Sequence, residues 1–301
     1  GIGMAANHII GGMNVWTNFS NSSFENDQTY TGVRIDSNQY DASANAMTLG
    51  VDKKIGNIVI GLAYTGFDSD IDTKVNGGNI KTEGETLGFY VGLNSGPLMV
   101  SAGAGTGEYE IDTRRIDLGS LKTITATDVV ADITYYHVNV SGTVNRGKMS
   151  FTPRVAYRNF DMDMPAFTDI VPDDDNTMYD NVAGAASSGA TDDESVGGRT
   201  YSSDMTEAGL SVALSLGAKL TPYIDVAYVN EDTSAASYLT ERTTDEAAEL
   251  DASAPDGYIS YGGGVIMNLS SKVSGYVSFA ETTNREDSSE TTISGSLRLR
   301  F

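Results

Sequence analysis

The chain has 301 residues, a net charge of −22, no cysteine and a mean hydropathy of −0.22. These values exclude a disulfide framework and thiolate metal sites, and such acidity argues against nucleic acid, whose phosphates it would repel. No run approaches the ~18 consecutive apolar residues of a membrane-spanning helix.

The opening GIGMAANHIIGGMN has no basic region followed by an apolar one, so no signal peptide is visible there. Helical periodicity is nearly absent beyond it. Segments that alternate by twos recur instead, as expected of strands with two unlike faces. In chain order they cover 9–19, 45–52, 57–67, 85–93, 97–109, 128–142, 148–160, 205–216, 220–230, 258–269, 272–282 and 291–301. Twelve is an even number, which suits an antiparallel barrel with both ends on one side. Segments 9–19 and 128–142 have apolar residues on both faces, and their facing stays open.

The connections alternate as strictly as the residues do. KKIG (53–56), NSGP (94–97), NRGK (145–148), LGAKL (216–220) and LSSKV (269–273) are tight, and four of these five carry lysine or arginine. The connections between them are long and polar, the largest running over 161–204 and 231–256. In 161–204 eleven acidic residues face a single basic one, Arg199. All tight turns therefore fall at one rim and all long loops at the other, as in an outer-membrane barrel with short periplasmic turns.

Within 85–93, Leu87, Phe89, Val91 and Leu93 share a face opposite Gly88, Tyr90 and Gly92. A soluble β-sandwich would alternate in the same way. Its solvated face would carry Lys and Glu, however, whereas the polar faces here hold Gly, Ser, Ala and Thr, which suit a crowded lumen. Arg154, Arg158, Asp225, Arg298 and Arg300 fall on those polar faces and are expected to point inward, since a charge meeting lipid at mid-depth costs ~2–4 kcal/mol. Asp225 and Asp132 are the candidate partners for the arginines. Trp16, Tyr64, Tyr157 and Tyr228 lie near segment ends, where amphipathic rings anchor a barrel in the interface.

Two acidic runs raise the question of calcium, which favours clustered carboxylates. They are FDSDID, with Asp68, Asp70 and Asp72, and PDDDN, with Asp173, Asp174 and Asp175. Neither fits the full EF-hand spacing, and both read as solvated loops. His8 and His137 are the only histidines, and neither accompanies a nucleophile that it could serve as a base. The residues thus point to no enzyme and no cofactor.

AMTLGVDKKIGNIVIGLAYTGFDSDID (46–72) resembles a glycine-marked hairpin of the autotransporter β-domain. FTPRVAYRNFD (151–161) and LTPYIDVAYVNED (220–232) resemble that family's strands that begin with Thr-Pro, a position where proline's missing N–H costs least. The closing LRLRF is similar to the family's insertion signal, which implies that Leu297, Leu299 and Phe301 are read by the barrel-assembly machinery; Ser296 stands where the common signal has glycine. The resemblance implies one twelve-stranded antiparallel transmembrane β-barrel over 9–301, in the outer membrane of a Gram-negative bacterium. Residues 1–8 would be the remnant of a linker or plug segment joining an N-terminal passenger that the barrel anchors and helps to export. Lipids and lipopolysaccharide are the surrounding partners. The alternatives are a small channel or porin whose acidic loops favour cations, and a surface adhesin or receptor acting through its loops.

Overall fold

The computed structural model describes residues 13–27, 39–74, 77–116, 122–171, 194–235, 257–283 and 288–301. Twelve long strands make the wall: β1 (Met13–Asn26), β2 (Tyr40–Ile55), β3 (Ile58–Thr73), β4 (Asn79–Ser95), β5 (Leu98–Ile116), β6 (Thr123–Gly142), β7 (Met149–Met164), β8 (Arg199–Leu214), β9 (Leu220–Ala235), β10 (Tyr258–Asn268), β11 (Val273–Thr283) and β12 (Ser288–Arg300). Each pairs antiparallel with its sequence neighbours. The sheet closes where β1 meets β12, with Thr17 opposite Leu297 and Val15 opposite Leu299, so among the described residues each wall strand is paired on both sides. Val144–Arg146 continues the sixth strand into its turn, and Phe167–Asp169 pairs with Glu194–Val196 as a small hairpin inside the longest connection.

The tight turns follow from glycine placement. In the hairpins closed by Ile55↔Ile58, Ser95↔Leu98 and Arg146↔Met149, the first loop residue is Gly56, Gly96 or Gly147, each with φ near +60°. A left-handed residue at that position matches the twist of the flanking strands, and glycine takes it without strain.

Alternation sets the two faces. Ile58, Ile60, Leu62 and Tyr64 are exposed on the outside of β3, and Val59 and Gly61 are buried on the inside. The same parity puts Leu87 and Phe89, Val138 and Val140, Ile224 and Val226, and Leu297 and Leu299 on the outer surface. Side chains left this open to their surroundings form a continuous oily belt, which in lipid is the favourable arrangement. Tyr64, Tyr136, Tyr157, Tyr228 and Tyr261 end the apolar columns on the long-loop side, at the depth where a ring with one wet edge is stable. Trp16 departs from the expected girdle: it points inward and donates to the Tyr90 hydroxyl at 2.8 Å.

The strands run further toward the long loops than the hydrophobic period reaches. β2 to β9 have 16–20 residues, against 11–13 in β10 to β12. FDSDID is accordingly the outer end of β3 and not a loop. Above the tyrosines the wall continues in water, where polar residues occupy both faces and leave no apolar rhythm to detect.

The expected ambiguity of 128–142 has a physical source. Ile133 and Ala131 are fully buried inside, while Tyr136 and Val138 are exposed outside, so both faces are apolar for different reasons. A bulge near Asp128, whose φ is +57°, shifts the β5–β6 register and inverts the parity beyond it. Ile111, Ala126, Val129, Ala131 and Met164 form an apolar core inside the barrel near its long-loop mouth, with Tyr109 and Phe167 packed on it.

Candidate functional site

The lumen is lined by polar side chains tied into two clusters on opposite walls. On β7, β8 and β9, Arg154 donates through Nε to Glu207 at 2.6 Å and through both Nη atoms to Asp225 at 2.6 and 2.7 Å. Ser211 donates to Asp225, and Arg158 donates to Glu207 at 2.8 Å. The guanidinium fork fits two carboxylates at once, which makes this a charge-assisted, directional network. Its space comes from Gly209: a Cβ there would stand 2.7 Å from Arg154 Cζ. Two arginines against two carboxylates leave the cluster neutral.

The facing cluster sits on β1, β2, β4 and β12. Buried Asp52 accepts from Asn14 Nδ2 at 2.5 Å, from the Tyr90 hydroxyl at 2.9 Å and from Arg298 at 3.2 Å. Trp16 and Tyr90 meet edge to face with ring centres 6.1 Å apart. Each ring lies over a glycine of the neighbouring strand. A Cβ on Gly50 would be 2.2 Å from Trp16, and one on Gly61 would be 2.3 Å from Tyr90. Arg300 shares the inward parity of Arg298, and its Nε is buried without a partner among the described residues.

Asp132 is not a partner of the arginines. It lies on the outer surface in register with Glu108 and Asp163, and the carboxylates that Arg154 uses are Asp225 and Glu207. Glu207 escapes a reading by sequence because Thr-Glu-Ala-Gly has no apolar alternation of its own. Its signal is parity: Glu207, Gly209 and Ser211 occupy successive inward positions opposite Arg154 and its neighbours on β7. His137 also faces the lumen beside Arg158, over Gly103.

At the long-loop mouth a third contact pins the segment after β7. Asp169, fully buried, pairs with Arg115 at 2.5 Å, and Ile170 is hydrogen-bonded to Thr125 in both directions. Arg199 lies over the Phe167 ring at 5.9 Å. One side of the mouth is therefore covered by the chain's own apolar segment. A cavity remains against the remaining wall, lined by Glu207, Tyr223, Asp225, Tyr276, Thr292 and Ser294 among others.

Asp68, Asp70 and Asp72 project from the outer face of β3. Asn45 donates to Asp68 at 2.8 Å, and Asn79 serves both Asp70 and Asp72. Among the described residues no group of three or more potential ligands converges on a metal position; Asp173, Asp174 and Asp175 lie outside those residues, as do His8 and residues 1–8. Lys74 bridges Asp27 and Asp41 at 3.0 Å each, and hydrogen bonds to Asp41 and Asp27 raise its pKa.

No curated protein sequence matches the chain. The translocator domain of the autotransporter NalP from Neisseria meningitidis has a similar structure, with 14% identity, 96% of this chain and 89% of that one covered, and a TM-score of 0.70. The β domain of the Bordetella autotransporter BrkA gives 13% identity, 96% and 100% coverage, and a TM-score of 0.67. An outer-membrane channel from Pseudomonas putida F1 is more distant, at 9% identity, 98% and 97% coverage, and a TM-score of 0.53. At such identities these structures speak for the fold alone. The family model described as the autotransporter beta-domain matches residues 15–280. That match takes in most of the sequence, so the chain belongs to the autotransporter β-domain family: it is an outer-membrane translocator barrel for export of a linked passenger.

Proposed function

We propose that the passenger's linker occupies the polar side of the lumen, along β9 to β1, and that the two ionic clusters brace the wall around it. The observation that carries this reading is the division of the lumen. An apolar core fills the mouth beside β5 to β7. The opposite wall carries small hydroxylated side chains already bonded to one another, Ser22 with Thr292 and Ser278 with Ser294. Satisfied hydroxyls present little adhesive surface, so a chain can lie there without being trapped. Leu297 and Leu299 on β12, with Phe301 just after it, supply an exposed apolar column, which supports their reading as the signal for the barrel-assembly machinery. Residues 1–8 would be the end of the linker. The family is one of transport barrels, and we assign the barrel no catalytic step.

The test is a reporter domain fused ahead of Gly1, with residues 1–12 kept, and expressed in a Gram-negative host. Protease added to intact cells should remove the reporter, and bulky substitutions at Ser278 and Ser294 should slow its appearance at the surface. A barrel that inserts while the reporter stays protected in the periplasm defeats the proposal. A channel role has one observation in its favour, the open polar cavity beside Asp225 and Glu207. Cation-selective conductance in planar bilayers from a barrel without any passenger would support it.

A further inference from the structure

The tight-turn rim has a charge pattern that export does not require. Lys53 and Lys54 stand at the β2–β3 turn, Arg146 and Lys148 at β6–β7, Lys219 at β8–β9 and Lys272 at β10–β11. All but the half-buried Lys54 are exposed. None of these six side chains makes an ion pair or hydrogen bond among the described residues. At the other end Lys74 is by contrast surrounded by Glu25, Asp27 and Asp41, and Lys81 on β4 stands in register between Asp70 and Asp112. No carboxylate side chain lies in the turns themselves. The nearest, Asp52, is buried in the lumen and already has three donors.

We propose that this rim binds the phosphate groups of anionic phospholipids in the inner leaflet of the outer membrane. The inference rests on the outer-membrane orientation of the barrel and is independent of what the lumen carries. Two features choose lipid over a periplasmic protein. The cations are spread around the circumference, at four of the five tight turns, and do not form one concentrated patch; the headgroups encircling an inserted barrel meet all of them. They also sit at the edge of the oily belt, next to exposed Ile55, Ile58, Val144, Met149, Leu216, Leu220 and Leu269. A side chain whose stem touches acyl chains and whose charge lies at the belt's edge is at phosphate depth. An anionic surface attracts each such residue by an amount equal to about a fivefold preference.

The experiment compares the wild-type barrel with a Lys53→Gln, Lys148→Gln, Lys219→Gln, Lys272→Gln variant in phosphatidylcholine vesicles. Spin-labelled phosphatidylglycerol and spin-labelled phosphatidylcholine report how strongly each lipid associates with the barrel. All four positions are exposed and without side-chain partners, so the variant is expected to keep the native gel mobility before heating. The wild type should favour phosphatidylglycerol over the variant by roughly twofold to fivefold, and added salt should shrink the difference. The acidic far end is common to both proteins and cancels. A Lys74→Gln, Lys81→Gln variant, changed at that far end only, should not lose the preference. Equal association in wild type and rim variant overturns the proposal, as does a loss caused equally by the far-end variant. A rim variant that loses binding to a periplasmic protein while its lipid preference stays unchanged also overturns it. Neither orientation nor passenger enters the measurement, so a failure of export leaves its result readable.

Discussion

Near the tight turns Arg154 is held by two carboxylates against the wall, with only 5% of its side chain exposed; near the long connections Lys74 meets three carboxylates with 32% exposed. Both are cations among acids, yet the surroundings give them different worth. In the lower barrel lipid covers the outside and Arg154 is buried against the wall at the edge of the polar cavity, so its charge needs partners in good geometry. In the upper barrel water screens the same charges, and the acidic collar of Asp68, Glu83, Glu108, Glu110 and Asp163 is tolerated without one-to-one pairing. One closed sheet thus follows membrane rules at one end and soluble-protein rules at the other.

The sharpest way to break the comparison is to remove Arg154. Arg154→Ala leaves Glu207 with Arg158 alone and Asp225 with only Ser211, the two carboxylate side chains being 10% and 13% exposed. The loss should be about 3–5 kcal/mol, read as a fall in the urea midpoint in vesicles and in the temperature at which the folded band disappears on gels. Arg154→Lys should recover only part, because an ammonium cannot reproduce the fork to Asp225. Lys74→Ala should change the same readouts little.

Leu62→Arg tests the outer surface. Leu62 lies midway along the apolar column of β3 and is 51% exposed, so the substitution should cost ~2–4 kcal/mol in a bilayer. Asp68→Arg, six residues further up the same face, should cost almost nothing. Should both substitutions cost alike, the belt would not end at Tyr64.

Those two halves were unequally legible in the sequence. The belt segments announce themselves because lipid demands apolar residues on one face of every strand: Leu87, Phe89, Val91 and Leu93 could be assigned outward with no structure. The inward direction of Arg154, Arg158, Asp225, Arg298 and Arg300 follows from the same parity. Their partners do not. Whether Arg154 meets Asp225 or Asp132 depends on register across β6 to β9, and register depends on where strands begin and on the bulge at Asp128, which no local pattern fixes. Trp16 was hidden for a related reason. Its inward position depends on Gly50 lying opposite it, a relation between residues 34 apart in the chain. The continuation of FDSDID as strand was invisible because the upper wall obeys no hydrophobic period.

The smallest expected effect lies in the collar, where repulsion and not lipid sets the energy. Asp128 and its neighbours Asp112 and Glu83 raise the pKa of Glu110. In the unfolded chain Glu110 titrates in the ordinary carboxylate range. Between that value and its raised folded value, the folded barrel binds more protons than the unfolded one. Stability of this region therefore falls as pH rises through the window and stays at the lower level above it. Glu110→Gln removes the proton-binding site and should flatten this slope. Hydrogen exchange of residues 108–112 is the suitable readout, since the collar can open without unfolding the belt. Wild type and variant should coincide below the window, and above it the variant should exchange more slowly. High salt should close the gap by screening the same repulsion. A gap that persists in high salt would mean that Glu110 acts through packing, and the upper barrel would then share more of the lower barrel's rules than its exposure implies.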